Sequence, residues 1–107
     1  MTQLYIDVRR EGNKDLITVT GPVNSFTFSE FQEKVYKSIS AIDTVIDMSK
    51  VTTLSSAGIG VLMAALDDAE AAGKRLAICK PSEIVTLALE STGFGDRFPI
   101  VGSAKDF

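Results

Sequence analysis

Leu4, Ile6 and Val8 alternate with Tyr5, Asp7 and Arg9 in the run LYIDVRR, the period-two rhythm of a strand with one face buried. A Gly-Asn turn in EGNKD separates it from LITVTGPV, so residues 4–23 predict a β-hairpin, which GPVNS ends. The spacing becomes helical at Phe31, Val35 and Ile39, with Phe28 near the start, predicting a helix over residues 28–40. Two signals mark its beginning. Thr27 and Glu30 have capping-box spacing, and Phe26 and Phe31 stand where a hydrophobic staple would close around that cap. TVIDMS starts with a nearly continuous apolar run and predicts a short central parallel strand, followed by a loop. Ile59, Leu62, Met63 and Leu66 recur at i, i+3, i+4 and i+7, predicting a helix from Ala57 to Ala72 ended by Gly73. That phase turns those four residues inward and Asp67, Asp68 and Glu70 toward solvent. KRLAICK predicts the next strand. Pro81 and Ser82 open a third helix, EIVTLALEST, stopped by Gly93 with Phe94 placed for a Schellman-type contact. RFPIVGS predicts a last strand at a sheet edge, because Pro99 has no N–H to give to a ladder.

The resulting order, ββαβαβαβ, predicts an α/β fold: a mixed, mostly parallel sheet with an N-terminal hairpin and crossover helices. A length of 107 residues with no linker or repeat suits a single domain, residues 1–107. Composition narrows the function. Eleven basic against 14 acidic side chains leave a net charge of -3, with the signs interspersed. Nucleic acid and anionic membrane surfaces reward a clustered basic face, so neither is an expected partner. No stretch approaches the roughly 18 apolar residues of a membrane span. The amino terminus gains charge too early for a signal peptide, so a cytoplasmic location is expected. Cys79, the one cysteine, excludes an intrachain disulfide and a cysteine metal cluster, and its apolar surroundings suit a packed, inert thiol. The chain has no histidine, which removes histidine-activated nucleophiles and histidine metal sites. With no convergent carboxylates either, the expectation is a protein that is not an enzyme and carries neither metal nor cofactor.

The stretch that invites chemistry is VTTLSSAGIGVLMAALDDAEAAG, residues 51–73. Taken alone, Ser55 and Ser56 before an apolar helix read as a cap. The same position also welcomes phosphate, through the unpaired amides and the positive end of the helix dipole. Gly58 and Gly60 in the first turns would leave the backbone bare for another surface to approach. Gly-Ile-Gly is a poor nucleotide loop, since it lacks both the lysine of a P-loop and the third glycine of a dinucleotide site.

Asp47-Met48-Ser49, Val51 and the run from Leu54 through Ser55-Ser56-Ala57-Gly58-Ile59-Gly60-Val61 to Leu62 resemble the signature of the STAS domain family. Within it, the chain is similar to bacterial anti-sigma factor antagonists, or anti-anti-sigma factors. A second segment, Gly21-Pro22-Val23-Asn24-Ser25-Phe26-Thr27, echoes the family's Gly-x-Leu-Asp-x-x-Thr. The resemblance implies a STAS-type fold over essentially the whole chain. It implies phosphorylation at Ser56, with Ser55 as the alternative, and places Ser55 where many members carry aspartate. A partner surface would draw on Asn24, Ser25, Thr27, Ser55, Ser56, Ala57, Gly58, Gly60 and Val61. The implied partners are an anti-sigma factor that is also a GHKL-type serine kinase and a PP2C-type phosphatase that resets the switch. In that scheme the unmodified protein binds the anti-sigma factor and frees a sigma factor, and phosphorylation ends the binding. An alternative is a non-phosphorylated STAS interaction subunit of an ABC lipid transporter or a stress-signalling assembly. A third reading is a small-ligand or nucleotide binder.

Overall fold

Ile17, Ile46 and Ile78 lie in register across three neighbouring parallel strands, and every helix of the fold packs its apolar side into the cluster they begin. The computed structural model describes residues 3–93 and 95–103. Its elements are β1 (Tyr5–Glu11), β2 (Lys14–Val23), α1 (Phe28–Ile39), β3 (Asp43–Leu54), α2 (Ser56–Ala71), β4 (Leu76–Cys79), α3 (Glu83–Ser91) and β5 (Ile100–Val101), with one 3-10 turn at Gly95–Arg97. The sheet order is β1-β2-β3-β4-β5, antiparallel at β1–β2 and parallel elsewhere. This is the expected ββαβαβαβ order, with the Pro99-linked strand at an edge. Phe31, Val35 and Ile39 of α1, Leu62 and Leu66 of α2, and Val85 and Leu89 of α3 are all buried in the one cluster. The Phe94 contact expected after Gly93 falls outside the described residues.

β3 departs most from expectation. The segment after TVIDMS is not a loop: the strand runs twelve residues, from Asp43 to Leu54. Polar Ser49 and Lys50 break the apolar run, yet the backbone remains extended by bulging. The register passes from Thr18↔Asp47 to Thr20↔Lys50 and from Gly21↔Val51 to Pro22↔Thr53, so β3 takes an additional residue twice. The Asp47 carboxylate accepts from the Ser49 N–H at 2.9 Å at the first irregularity. β4 pairs with β3 only as far as Asp47. Beyond it, Ser82 serves the strand: its N–H donates to the Met48 carbonyl at 3.1 Å and its hydroxyl to the Val51 carbonyl at 2.9 Å. The same hydroxyl accepts from the Val85 N–H at 3.3 Å and so caps α3.

α2 is rotated relative to the predicted stripe. Gly58, Val61, Leu62, Ala65, Leu66 and Ala69 are buried, whereas Ile59 and Met63 are half-buried at the margin. Apolar residues surround the first turns of this helix, so periodicity alone does not choose its buried face. Small residues choose it, by letting the helix settle close to the sheet. Gly73, at φ 74°, ends α2 as expected; Lys74 N–H reaches the Ala69 carbonyl and Gly73 N–H the Glu70 carbonyl, a Schellman closure.

Candidate functional site at the amino terminus of α2

The long β3 delivers the two serines to a fixed position. Val23 pairs with Leu54 at the end of the β2–β3 ladder, and the Ser55 N–H then donates to the Val23 carbonyl at 2.9 Å. Ser55 is the cap. Its extended backbone (φ -81°, ψ 172°) lets its hydroxyl accept from the Gly58 N–H at 3.3 Å, while its carbonyl accepts from Ile59. Ser56 is therefore not the capping residue; it is the first residue of the helix and is exposed. The division follows from backbone geometry, since only the residue before the first turn can fold its hydroxyl back onto the third helical amide. The first turn of α2 carries no acidic side chain. The amides of Ser56 and Ala57, like the opening amides of any helix, have no intrahelical acceptor.

The loop from Asn24 to Thr27 forms the other half of the site. Its start does not use the expected capping box. Thr27 precedes α1 with a helical backbone (φ -113°, ψ -10°) and makes no side-chain cap bond. Its hydroxyl turns the other way, donating to the Pro22 carbonyl at 2.9 Å and accepting from the Asn24 N–H at 2.9 Å. Asn24 Oδ1 accepts from the N–H groups of Phe26 at 2.8 Å and Thr27 at 3.1 Å, an Asx turn that competes with the box and wins. The staple is absent as well: Phe31 is fully buried, but Phe26 stands 93% exposed. Phe28 packs at the core margin in its place. Gly21, in the preceding strand, has φ 107°, and a Cβ there would lie 2.5 Å from the Gln3 carbonyl oxygen, so the turn into this loop excludes a side chain.

The nine residues expected at a partner surface divide by burial. Ser25, Ser56 and Gly60 are exposed, and Asn24, Thr27, Ser55 and Ala57 are half-buried. Gly58 and Val61 face inward. A Cβ on Gly58 would lie 2.7 Å from both Leu54 Cδ1 and Val23 Cγ1, so its missing side chain serves the packing of α2 on the strands. Gly60 has no neighbour within 4 Å of where a Cβ would stand, and it is the glycine that leaves backbone bare. Four surface clefts of about 240–330 Å³ are lined by residues of other regions, so none of them is centred on these serines. Among the described residues, no group of three or more His, Cys, Asp or Glu converges as for a metal ion. Among the same residues, no helix is long and apolar enough to cross a membrane.

Gly21, Asn24 and Thr27 of one segment and Ser55 and Gly58 of the other are thus interlocked through β2, β3 and the start of α2. The comparison with known families matches residues 5–106 to the STAS domain. The chain belongs to the STAS domain family. Solved STAS structures share its fold at low sequence identity. An anti-sigma factor antagonist from Mycobacterium paratuberculosis superposes with a TM-score of 0.85 at 19% identity, covering 97% of this chain and 90% of that one. The anti-sigma factor antagonist SpoIIAA in its unphosphorylated form gives 0.78 at 15% identity, covering 95% and 91%. The Bacillus cell fate determinant SpoIIAA in its phosphorylated form gives 0.72 at 14%, covering 95% of each chain.

Two residues that position this STAS site carried weak or misread signals. Asn24 followed by Thr27 is the Asx-turn spacing, and it overrides the capping-box spacing that shares Thr27. Ser82 was legible as a helix cap, but its bond to Val51 joins residues 31 apart and leaves no local trace.

Proposed function

We propose that this STAS domain is an anti-sigma factor antagonist that binds an anti-sigma factor when unmodified and is released by phosphorylation of Ser56. The observation that carries the reading is the separation of roles at the two serines. Ser55 is half-buried and engaged in capping, while Ser56 is exposed at the head of a helix whose first turn has no anionic side chain. A kinase can reach the Ser56 hydroxyl without unwinding the cap. The Ser56 oxygen attacks the γ-phosphorus of ATP held by the kinase, the O–P bond forms as ADP departs, and the hydroxyl proton passes to a base of the kinase. A PP2C-type phosphatase reverses the modification by hydrolysis. The STAS domain supplies a nucleophile and a surface, and no catalysis of its own. Structural relatives that are anti-sigma factor antagonists, one of them in both phosphorylated and unphosphorylated forms, support the assignment.

Serine in place of the family's aspartate before Ser56 fits this reading. Both residues cap helices well, but serine brings no charge. The approaching phosphate meets the positive end of the helix without an adjacent carboxylate. Phosphoserine then adds about -1.5 to -2 charges to a surface whose nearest helical neighbour, Gly60, is bare. A partner packed against that surface would bury the new charge or withdraw. Incubated with its anti-sigma kinase and Mg-ATP, the protein should gain one phosphate that mass spectrometry maps to Ser56. Ser56→Ala should abolish the transfer and Ser55→Ala retain it. Phosphate mapped to another residue, or no transfer from any serine-kinase anti-sigma factor of the source organism, would sink the proposal.

A further inference from the structure

We propose that Phe26 is the anchor by which this STAS domain grips its anti-sigma partner, its ring entering an apolar pocket of that protein. The inference rests on the function proposed above and names a contact that neither the family motif nor the phosphorylation site requires.

Phe26 is the most exposed large apolar side chain of the described residues, at 93%, against 57% for Leu87 and 65% for Tyr5. Its exposure does not come from a loose loop. The Phe26 N–H is held by Asn24 Oδ1 at 2.8 Å, and the residues around it are fixed by the Thr27–Pro22, Asn24–Thr27 and Phe28–Asn24 bonds at 2.8–2.9 Å. The inward site that helical spacing offers this ring is already filled, because Phe31 is buried without it and Phe28 covers the margin. The bonded loop backbone therefore presents an aromatic side chain to solvent. A rigid aromatic on a preorganised loop gives large contact area at little entropic cost, the profile of an interface hot spot.

Its location selects the occupant. Phe26 follows Val23 by three residues, and the Val23 carbonyl holds the Ser55 N–H at 2.9 Å, so the loop that carries Phe26 is tied to the segment that carries Ser56, and both residues are exposed. A protein that handles Ser56 must cover this edge. The exposed apolar residues of α3 and β5 are less bare: Ile84 is 47% exposed, Leu87 57% and Ile100 49%, and α3 is tied to β3 at Met48 and Val51 rather than at Ser55. Phe26 does not touch the reacting hydroxyl, so it acts on binding alike in the ground and transition states. Such uniform binding appears in KM and leaves kcat unchanged.

The test uses the full chain and the serine-kinase anti-sigma factor that phosphorylates it. Phe26→Ala should raise KM for the STAS substrate, and Kd in the absence of ATP, about 30-fold or more, with kcat within two-fold. Its melting temperature should stay within about 1 °C, since a side chain this exposed contributes little to folding. Leu87→Ala, a control at an exposed apolar residue of α3, should leave KM unchanged. A Phe26→Ala protein with wild-type KM and Kd overturns the anchor while the function stands. An equal rise in KM for Leu87→Ala also overturns it, since the effect then does not belong to Phe26. A wild-type chain that binds no such kinase overturns the function and the anchor with it.

Discussion

Gly58 and Gly60 look equivalent in the sequence, two residues apart in the first turns of one helix, and the fold uses them in opposite ways. Gly58 is pressed between Val23 and Leu54, two side chains that come within 2.7 Å of any added Cβ. Alanine there gains about 1 kcal/mol of helix propensity and loses roughly 1–3 kcal/mol to overpacking against a stiff valine. Gly58→Ala should therefore lower the melting temperature. Gly60 meets nothing, so Gly60→Ala should raise it, by about 4 °C or somewhat more. If Gly60 is bare for the sake of a partner, the more stable variant should also bind its anti-sigma factor more weakly. Thermal denaturation and calorimetry on the same two proteins separate these effects. Ser55 gives a third residue-scale outcome. Loss of its cap in Ser55→Ala should cost about 1 kcal/mol, or roughly 4–8 °C, whereas Ser55→Gly should cost only a few tenths.

At the scale of elements, the tail of β3 is the device that makes the site. Past Asp47 it has β2 on one side, and on the other Ser82 bonds it to the start of α3. Ser82→Ala removes a helix cap and the donor to the Val51 carbonyl together. It should destabilise by about 1–3 kcal/mol and raise amide exchange first at residues 51–55, as seen by hydrogen-exchange mass spectrometry. Uniform protection across that segment in the variant would show that Ser82 does not hold the tail. The same element shows what the sequence could and could not convey. The order of elements along the chain, the hairpin, three helices and the Gly73 stop were legible because each is written in local spacing. The extension of β3 was not, because two bulges let polar Ser49 and Lys50 sit inside a strand. The face of α2 was ambiguous because Ile59 and Met63 are as apolar as the residues that won. At the site, the candidate positions were recognisable as a motif. Which serine caps and which glycine is bare depended on how the start of α2 sits against β2 and β3, and the exposure of Phe26 on bonds within the Pro22–Phe28 segment.

The whole molecule is built around one buried cluster, with the proposed functional edge at the start of α2 and Cys79 buried in β4. Burial and then the charge of Asp47 push the Cys79 thiol above its ordinary range, with Lys80 opposing. The thiol is thus neutral in the folded protein near pH 7, and thiol reagents should label it far faster after unfolding. Because the folded value is the higher one, this contribution to stability is intact below the unfolded thiol's range of about 8.5 and fades as pH climbs through the folded value. Cys79→Ala should therefore flatten the loss of melting temperature between neutral and alkaline pH. The central claim concerns the edge itself: one phosphate on Ser56 decides whether a partner stays. Calorimetric titration of the anti-sigma factor with the unmodified and the Ser56-phosphorylated chain tests it most directly. A switch from nearly all bound to nearly all free requires a loss of affinity of about 10⁴-fold. Equal affinity of the two forms, within two-fold, would contradict the account.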